Sequence, residues 1–190
     1  KGQKAQPAPS GDNKNAIKNV PVGDSMVLGN PKAPITVIKW TDFQWPYCSK
    51  SVSLIDEVLE KYPNDVKVVI KNFPLSFHKQ ARKAAKYALA AGRQGKYKEM
   101  YHMIMENYKQ LKTNEDLPVD FARELGLDMN KFMRDFQSSE IANQLNFEKK
   151  QFNEAGFPRK AVPKFLLQGK ETSWSTLLAS VETELAKLPK

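Results

Sequence analysis

The side chains able to do covalent chemistry in this chain reduce to a single thiol. Cys48 is the only cysteine among 190 residues, and it closes the stretch Asp42-Phe43-Gln44-Trp45-Pro46-Tyr47-Cys48. A cysteine in the first turn of a helix is a candidate nucleophile, because unpaired amides and the helix dipole favour the thiolate. A redox pair at such a junction reads Cys-x-x-Cys. Here the four residues are Trp45-Pro46-Tyr47-Cys48, so an indole stands where the outer sulfur belongs. One sulfur cannot store a disulfide. It supports only monothiol exchange, in which a mixed disulfide is released by an external thiol. Lys39 on the preceding segment pushes toward the thiolate. A position three residues into the helix points the sulfur inward, where desolvation favours the thiol and a free cysteine acts as a small hydrophobe.

No other residue set offers a rival chemistry. His78 follows a Phe73-Pro74-Leu75 break and is expected to cap the next helix; His102 sits beside Met103 and Met105 and reads as structural. One Cys and two His do not make the usual four-ligand zinc site. No metal or cofactor is expected, and no Ser-His-Asp order, carboxylate pair or phosphate loop stands out. Trp45 has two readings, an exposed aromatic anchor for a peptide or a cover over the helix end. Trp40 and Trp174 read as packing residues, and Glu57/Lys61 as a solvated helical face.

The elements that must position Cys48 follow from periodicity. Residues 34–42 read as a strand, and residues 46–61 as a helix with Val52, Leu54, Ile55, Val58 and Leu59 at helical spacing. Asp42 or a neighbour is expected to cap that helix. Residues 66–70 form the next strand, giving a strand–helix–strand crossover with parallel strands. A short edge strand is expected within residues 20–28. Helical patterns then cover 78–93, 96–109, 118–125, 129–137 and 139–155, before a strand returns at 162–169 and a last helix runs over 173–187. The result is an α/β domain over 20–190 with a helical insertion of about 76–157. Residues 1–19 are polar and rich in Pro and Gly; they read as a flexible leader, a frayed terminus or a tether to a membrane anchor.

Composition narrows the partners. The chain is 41% hydrophobic and carries a formal charge of +9. Its lysines are scattered rather than clustered, so nucleic acid is not the expected partner. No apolar run reaches the length of a membrane span.

Taken in order, the motifs resemble the DsbA family of thiol–disulfide proteins, bacterial envelope proteins with a thioredoxin fold and an inserted α-helical subdomain. The resemblance is carried by Leu28-Gly29-Asn30-Pro31, Thr41-Asp42-Phe43-Gln44, Pro46-Tyr47-Cys48, Asn72-Phe73-Pro74-Leu75 with His78, Gly95-Lys96-Tyr97, Gly126-Leu127-Asp128 and Val162-Pro163. It implies a cis-proline at Pro163 facing the helix start, with Val162 offering its backbone to an extended peptide as in strand addition. The departures bear on function. The family's nucleophilic cysteine falls at Trp45, its resolving cysteine at Cys48, and a glutamate that serves as proton relay at Lys39. The glycine usual before the cis-proline pair is Ala161, and the segment after Gly169 leaves the final hairpin strand abbreviated or absent.

The leading expectation is an envelope protein of this family that lacks dithiol–disulfide oxidoreductase activity. It keeps a groove for a protein or peptide client at Trp45, Pro46, Tyr47, Val162 and Pro163, with Lys39 as a tuning residue. The alternative is a monothiol oxidoreductase or isomerase using Cys48 and an external thiol. A third expectation is an adaptor whose basic face meets anionic lipid or polymer, with strongly salt-dependent binding.

Overall fold

The computed structural model describes residues 16–190. Five strands form one mixed sheet: β1 (Met26–Gly29), β2 (Ile35–Thr41), β3 (Val66–Asn72), β4 (Lys164–Leu167) and β5 (Lys170–Thr172), in the order β1-β3-β2-β4-β5. β2 and β3 are parallel, and every other neighbouring pair is antiparallel. In β2 and β3 nearly every residue is buried, as expected for central strands covered on both faces. That is why both read as apolar runs rather than alternating patterns.

The β2–β3 crossover is helical but not one helix. It divides into α1 (Pro46–Lys50) and α2 (Val52–Lys61), with Ser51 between them. Its hydroxyl donates to the Cys48 carbonyl at 2.7 Å. α2 buries Val52, Ile55, Val58 and Leu59. The insertion comprises α3 (Ala81–Gly92), α4 (Tyr97–Glu106), α5 (Leu117–Glu124), α6 (Met129–Phe136) and α7 (Ser139–Glu154). α3 buries six alanines with Tyr87 and Leu89 and touches α4 to α7. Short side chains let four helices approach one axis closely. Asp128 and Ser138 accept from Lys131 N–H and Ile141 N–H, so α6 and α7 start on side-chain caps.

The edge strand expected within residues 20–28 covers only its end. Residues 21–25 are held instead by Lys71 of β3, whose ammonium donates to the Pro21 and Val22 carbonyls and to Ser25 Oγ. The final hairpin strand is the three-residue β5, reached through Gln168 and Gly169, both at positive φ. A two-residue turn of this hand fits the twist of a hairpin. α8 (Leu177–Ala186) closes the chain after a single 3-10 turn. Of the expected leader, residues 1–15 lie outside the described residues. Lys18 is docked: its N–H donates to the Gly169 carbonyl at 2.8 Å and its ammonium to the Ala155 carbonyl at 2.6 Å. The docked chain therefore starts before residue 20.

Candidate functional site

Because β2 and β3 are parallel, with Thr41 beside Asn72, the loops leaving both strands emerge at the same end of the sheet. The first carries Asp42 to Trp45 into α1, the second Phe73 to Gln80 into α3. β4 begins at that end too, since Lys164 pairs with Trp40, and the Val162–Pro163 peptide bond before it is cis. Val162 is buried, and its backbone forms no hydrogen bond among the described residues.

Trp45, not Asp42, is the residue preceding the first turn of α1. Its extended backbone lets its carbonyl accept from Cys48 N–H and Ser49 N–H, while Pro46 takes the first helical position. A proline there loses no hydrogen bond, because the amide it lacks would be unpaired anyway. No side chain caps this helix. Asp42 instead turns inward and links the two loops. Its carboxylate accepts from Gln44 N–H at 2.7 Å and Leu75 N–H at 2.8 Å, and His78 Nδ1 lies 2.9 Å away. Gln44 and Gln80 repeat the link: Gln44 Nε2 donates to Gln80 Oε1, and Gln80 N–H donates back to Gln44 Oε1. The expected capping roles of Asp42 and His78 are thus replaced by a tie between them. They are 36 positions apart and meet only through the parallel pairing. The sequence signal for this contact is slight: Asp42 directly follows β2, but His78 lies six residues beyond β3, and only the inferred parallel pairing puts the two loops at one end of the sheet.

Cys48 has no exposed surface. Asp42 N–H points at Sγ from 3.4 Å, and Lys39 Nζ lies 3.3 Å from the Cys48 carbonyl and donates to Tyr101 Oη at 2.6 Å. Burial pushes the thiol up to about 11, against the opposing pull of the Lys39 ammonium and the Asp42 amide. Burial likewise pushes Lys39 down to about 8, although Cys48 and Asp56 favour its charge. Desolvation therefore outweighs both influences that favour a thiolate, and α1, five residues long, contributes only a short dipole. Trp45 and Pro46 are half-buried and Tyr47 is exposed. Trp45 packs against both Tyr47 and His78. His102 belongs elsewhere: its Nε2 lies 2.8 Å from Asp56, bracing α4 on α2.

A family model described as thioredoxin matches residues 22–185. Among curated proteins, the chain is 32% identical over 123 residues to Na(+)/H(+) antiporter NhaA 1 of Mycolicibacterium gilvum, covering 63% of this chain and 20% of that protein. It is 34% identical over 107 residues to Na(+)/H(+) antiporter NhaA 1 of Salinispora arenicola, covering 56% and 16%. The chain thus matches a fifth or less of the length of these relatives. Among solved structures, it resembles a thioredoxin-like oxidoreductase from Silicibacter pomeroyi, with TM-score 0.73, 25% identity, and coverage of 90% of this chain and 97% of that one. BdbD from Bacillus subtilis gives TM-score 0.77 at 17% identity, covering 92% and 100%. The thiol-disulfide exchange protein alpha-DsbA2 from Wolbachia pipientis gives 0.71 at 16%, covering 84% and 87%.

Proposed function

The chain belongs to the thioredoxin family as a DsbA-like member with a single cysteine, and from that premise we propose that it binds a protein or peptide client without dithiol–disulfide exchange. The observation that carries this reading is the state of Cys48: the one sulfur is fully enclosed and its thiol is pushed up to about 11. Exchange needs an accessible thiolate. At neutral pH this sulfur is neither accessible nor ionised. The same facts weigh against the monothiol alternative. The outer position is taken by Trp45, and an indole can anchor a client but cannot form a disulfide.

The client surface is assigned to Trp45, Pro46, Tyr47, Val162 and Pro163. Two observations support it. The two segments lie at one end of the sheet, and the Val162 backbone is free of partners among the described residues. A partnerless N–H and C=O at the end of the sheet that also carries the exposed Tyr47 suits an extended peptide adding along a strand. The compartment we assign is the bacterial envelope, in keeping with DsbA-like proteins. The match to part of proteins named as Na(+)/H(+) antiporters supports a place beside a membrane. Among the described residues, no helix is long and apolar enough to cross one.

Insulin reduction and thiol labelling test the reading together. The native protein is expected to leave insulin intact, and Cys48 to react with a thiol reagent only after denaturation. Trp45→Cys supplies the outer sulfur at the head of α1 and should confer insulin reduction. Equal turnover by the native protein and this variant, or rapid native labelling with a midpoint below the ordinary thiol range, would overturn the proposal.

A further inference from the structure

Four aromatic rings pack in succession at the end of the sheet. The Tyr47 and Trp45 centroids are 5.1 Å apart and those of Trp45 and His78 5.5 Å, both pairs tilted, and Phe77 meets His78 edge-on at 4.5 Å. The outer two are the exposed ones, Tyr47 at 52% and Phe77 at 67%. Large rings exposed to water at both ends of a continuous aromatic row mark an interaction surface. The middle of the row is held from beneath, because Asp42 binds His78 and the Gln44–Gln80 pair joins the two loops. The surface is thus formed before any partner arrives, which lowers the ordering cost of binding.

A basic recess adjoins the row at His78. A cavity of about 210 Å³ opens at His78, lined by Pro74, Leu75, Lys79, Arg82 and Lys149. Nearby ion pairs do not involve its cations: Lys83 binds Glu115 and Asp116, and Lys150 binds Glu154. Lys79, Arg82 and Lys149 have no carboxylate partner among the described residues. Further along α3, the Lys86 pKa is lowered, first by burial and then by Arg82 and Lys83. At the Tyr47 end of the row, the Lys50 ammonium sits 5.5 Å from the Tyr47 ring.

We propose that the Tyr47–Trp45–His78–Phe77 row and the Lys79–Arg82–Lys149 recess form one surface for an extended acidic protein segment. The rings take its apolar side chains, and the recess and Lys50 take its carboxylates. This rests on the client-binding reading above and adds the client's charge. The recess favours a chain over a membrane. Its cations line a concave cavity beside His78, which a side chain can enter and a flat bilayer cannot fill.

The test uses two dye-labelled synthetic peptides, one alternating Glu with Leu and Phe, the other with Gln for every Glu. Fluorescence anisotropy should show the Glu peptide binding about tenfold more tightly at low ionic strength, the combined effect of several exposed charge pairs. Added salt should erase the difference. Arg82→Gln with Lys149→Gln, both at exposed positions, should remove the preference and keep the Gln peptide's affinity. Trp45→Ala with Phe77→Ala should weaken both peptides. Equal binding of the two peptides by the native protein overturns the acidic preference and leaves the client groove standing. Binding of neither overturns both. Sedimentation with phosphatidylglycerol vesicles, in a protein that ignores the Glu peptide, assigns the patch to a lipid surface and overturns the proposal.

Discussion

Two lysines are buried on opposite faces of the central strand pair, and burial pushes each down to about 8. Lys39 pairs in register with Ile70, so Lys71, one residue on, points through the other face. Their surroundings differ. Lys71 Nζ has four oxygens within 3.2 Å, from Pro21, Val22, Ser25 and Gln151. Ser25 passes the contact to Glu148, which also accepts from the amide and side chain of Asn72. Lys39 has a phenol at 2.6 Å and one carbonyl at 3.3 Å, beside a neutral thiol. The first site is a polar network that fastens residues 21–25, β3 and α7 together. The second is a sparsely solvated ammonium beside the buried Cys48. Depressed pKa values of similar size thus report a structural clamp in one place and a poorly partnered amine beside the single thiol in the other.

The comparison breaks most visibly at Glu148. Glu148→Ala removes the acceptor that unites Ser25 and Asn72 and leaves Lys71 buried without its carboxylate. A loss of about 3–5 kcal/mol is expected, the usual cost of breaking a buried ionic network, read as a fall in the urea midpoint. A stability change below about 1 kcal/mol would make the clamp dispensable.

The pH dependence of stability comes next. Both lysines have folded values near 8 against an ordinary 10.5, so between those values the unfolded chain binds more protons and stability rises with pH. Cys48 runs the other way. Its thiol is held protonated to about 11 against an ordinary 9.0, so its contribution is lost as pH climbs through that window. A net rise is therefore expected from pH 8 to 9, followed by a flatter stretch above 9 that Cys48→Ala should turn into a continued rise. Urea unfolding at three pH values checks both parts.

Lys39→Met should have the smallest effect. It removes a poorly partnered buried charge and leaves the Tyr101 hydroxyl to be resatisfied, so the change should stay within about 1 kcal/mol in either direction. It should also lessen the rise from pH 8 to 9 without abolishing it, because Lys71 remains. Destabilisation on the scale of Glu148→Ala would show that Lys39 is as tightly integrated as Lys71.

Much of this architecture was legible in the chain. The apolar runs of β2 and β3, the helical spacing of Val52, Ile55, Val58 and Leu59, and the alanines of α3 depend on local period and burial, which a single sequence displays. The misread details are of two kinds. The break of the expected 46–61 helix at Ser51 is local, its hydroxyl bonding the Cys48 carbonyl three residues back, and the others depend on partners distant in the chain. Residues 21–25 are drawn from the strand pattern by Lys71, which nothing in their own sequence signals. Of the expected caps, the first falls to Asp42's neighbour Trp45 through its backbone alone, while Asp42 and His78 are bound to each other.

By itself, the sequence determined that this protein has one sulfur, that Trp45 occupies the outer position of the motif, and that Lys39 lies on the strand beneath it. Those are matters of identity and spacing, and they bound the chemistry before any folding is considered. Only the tertiary structure decided what the sulfur and the amine are. A cysteine near a helix start and beside a lysine has two opposed tendencies, and their balance depends on how much water remains. Here Cys48 and Lys39 are both fully enclosed, and the loss of hydration exceeds their mutual support. Likewise, Trp45 and Tyr47 at the start of α1 and Phe77 and His78 on the loop after β3 are separate residues until the parallel strands bring the two segments to one end of the sheet.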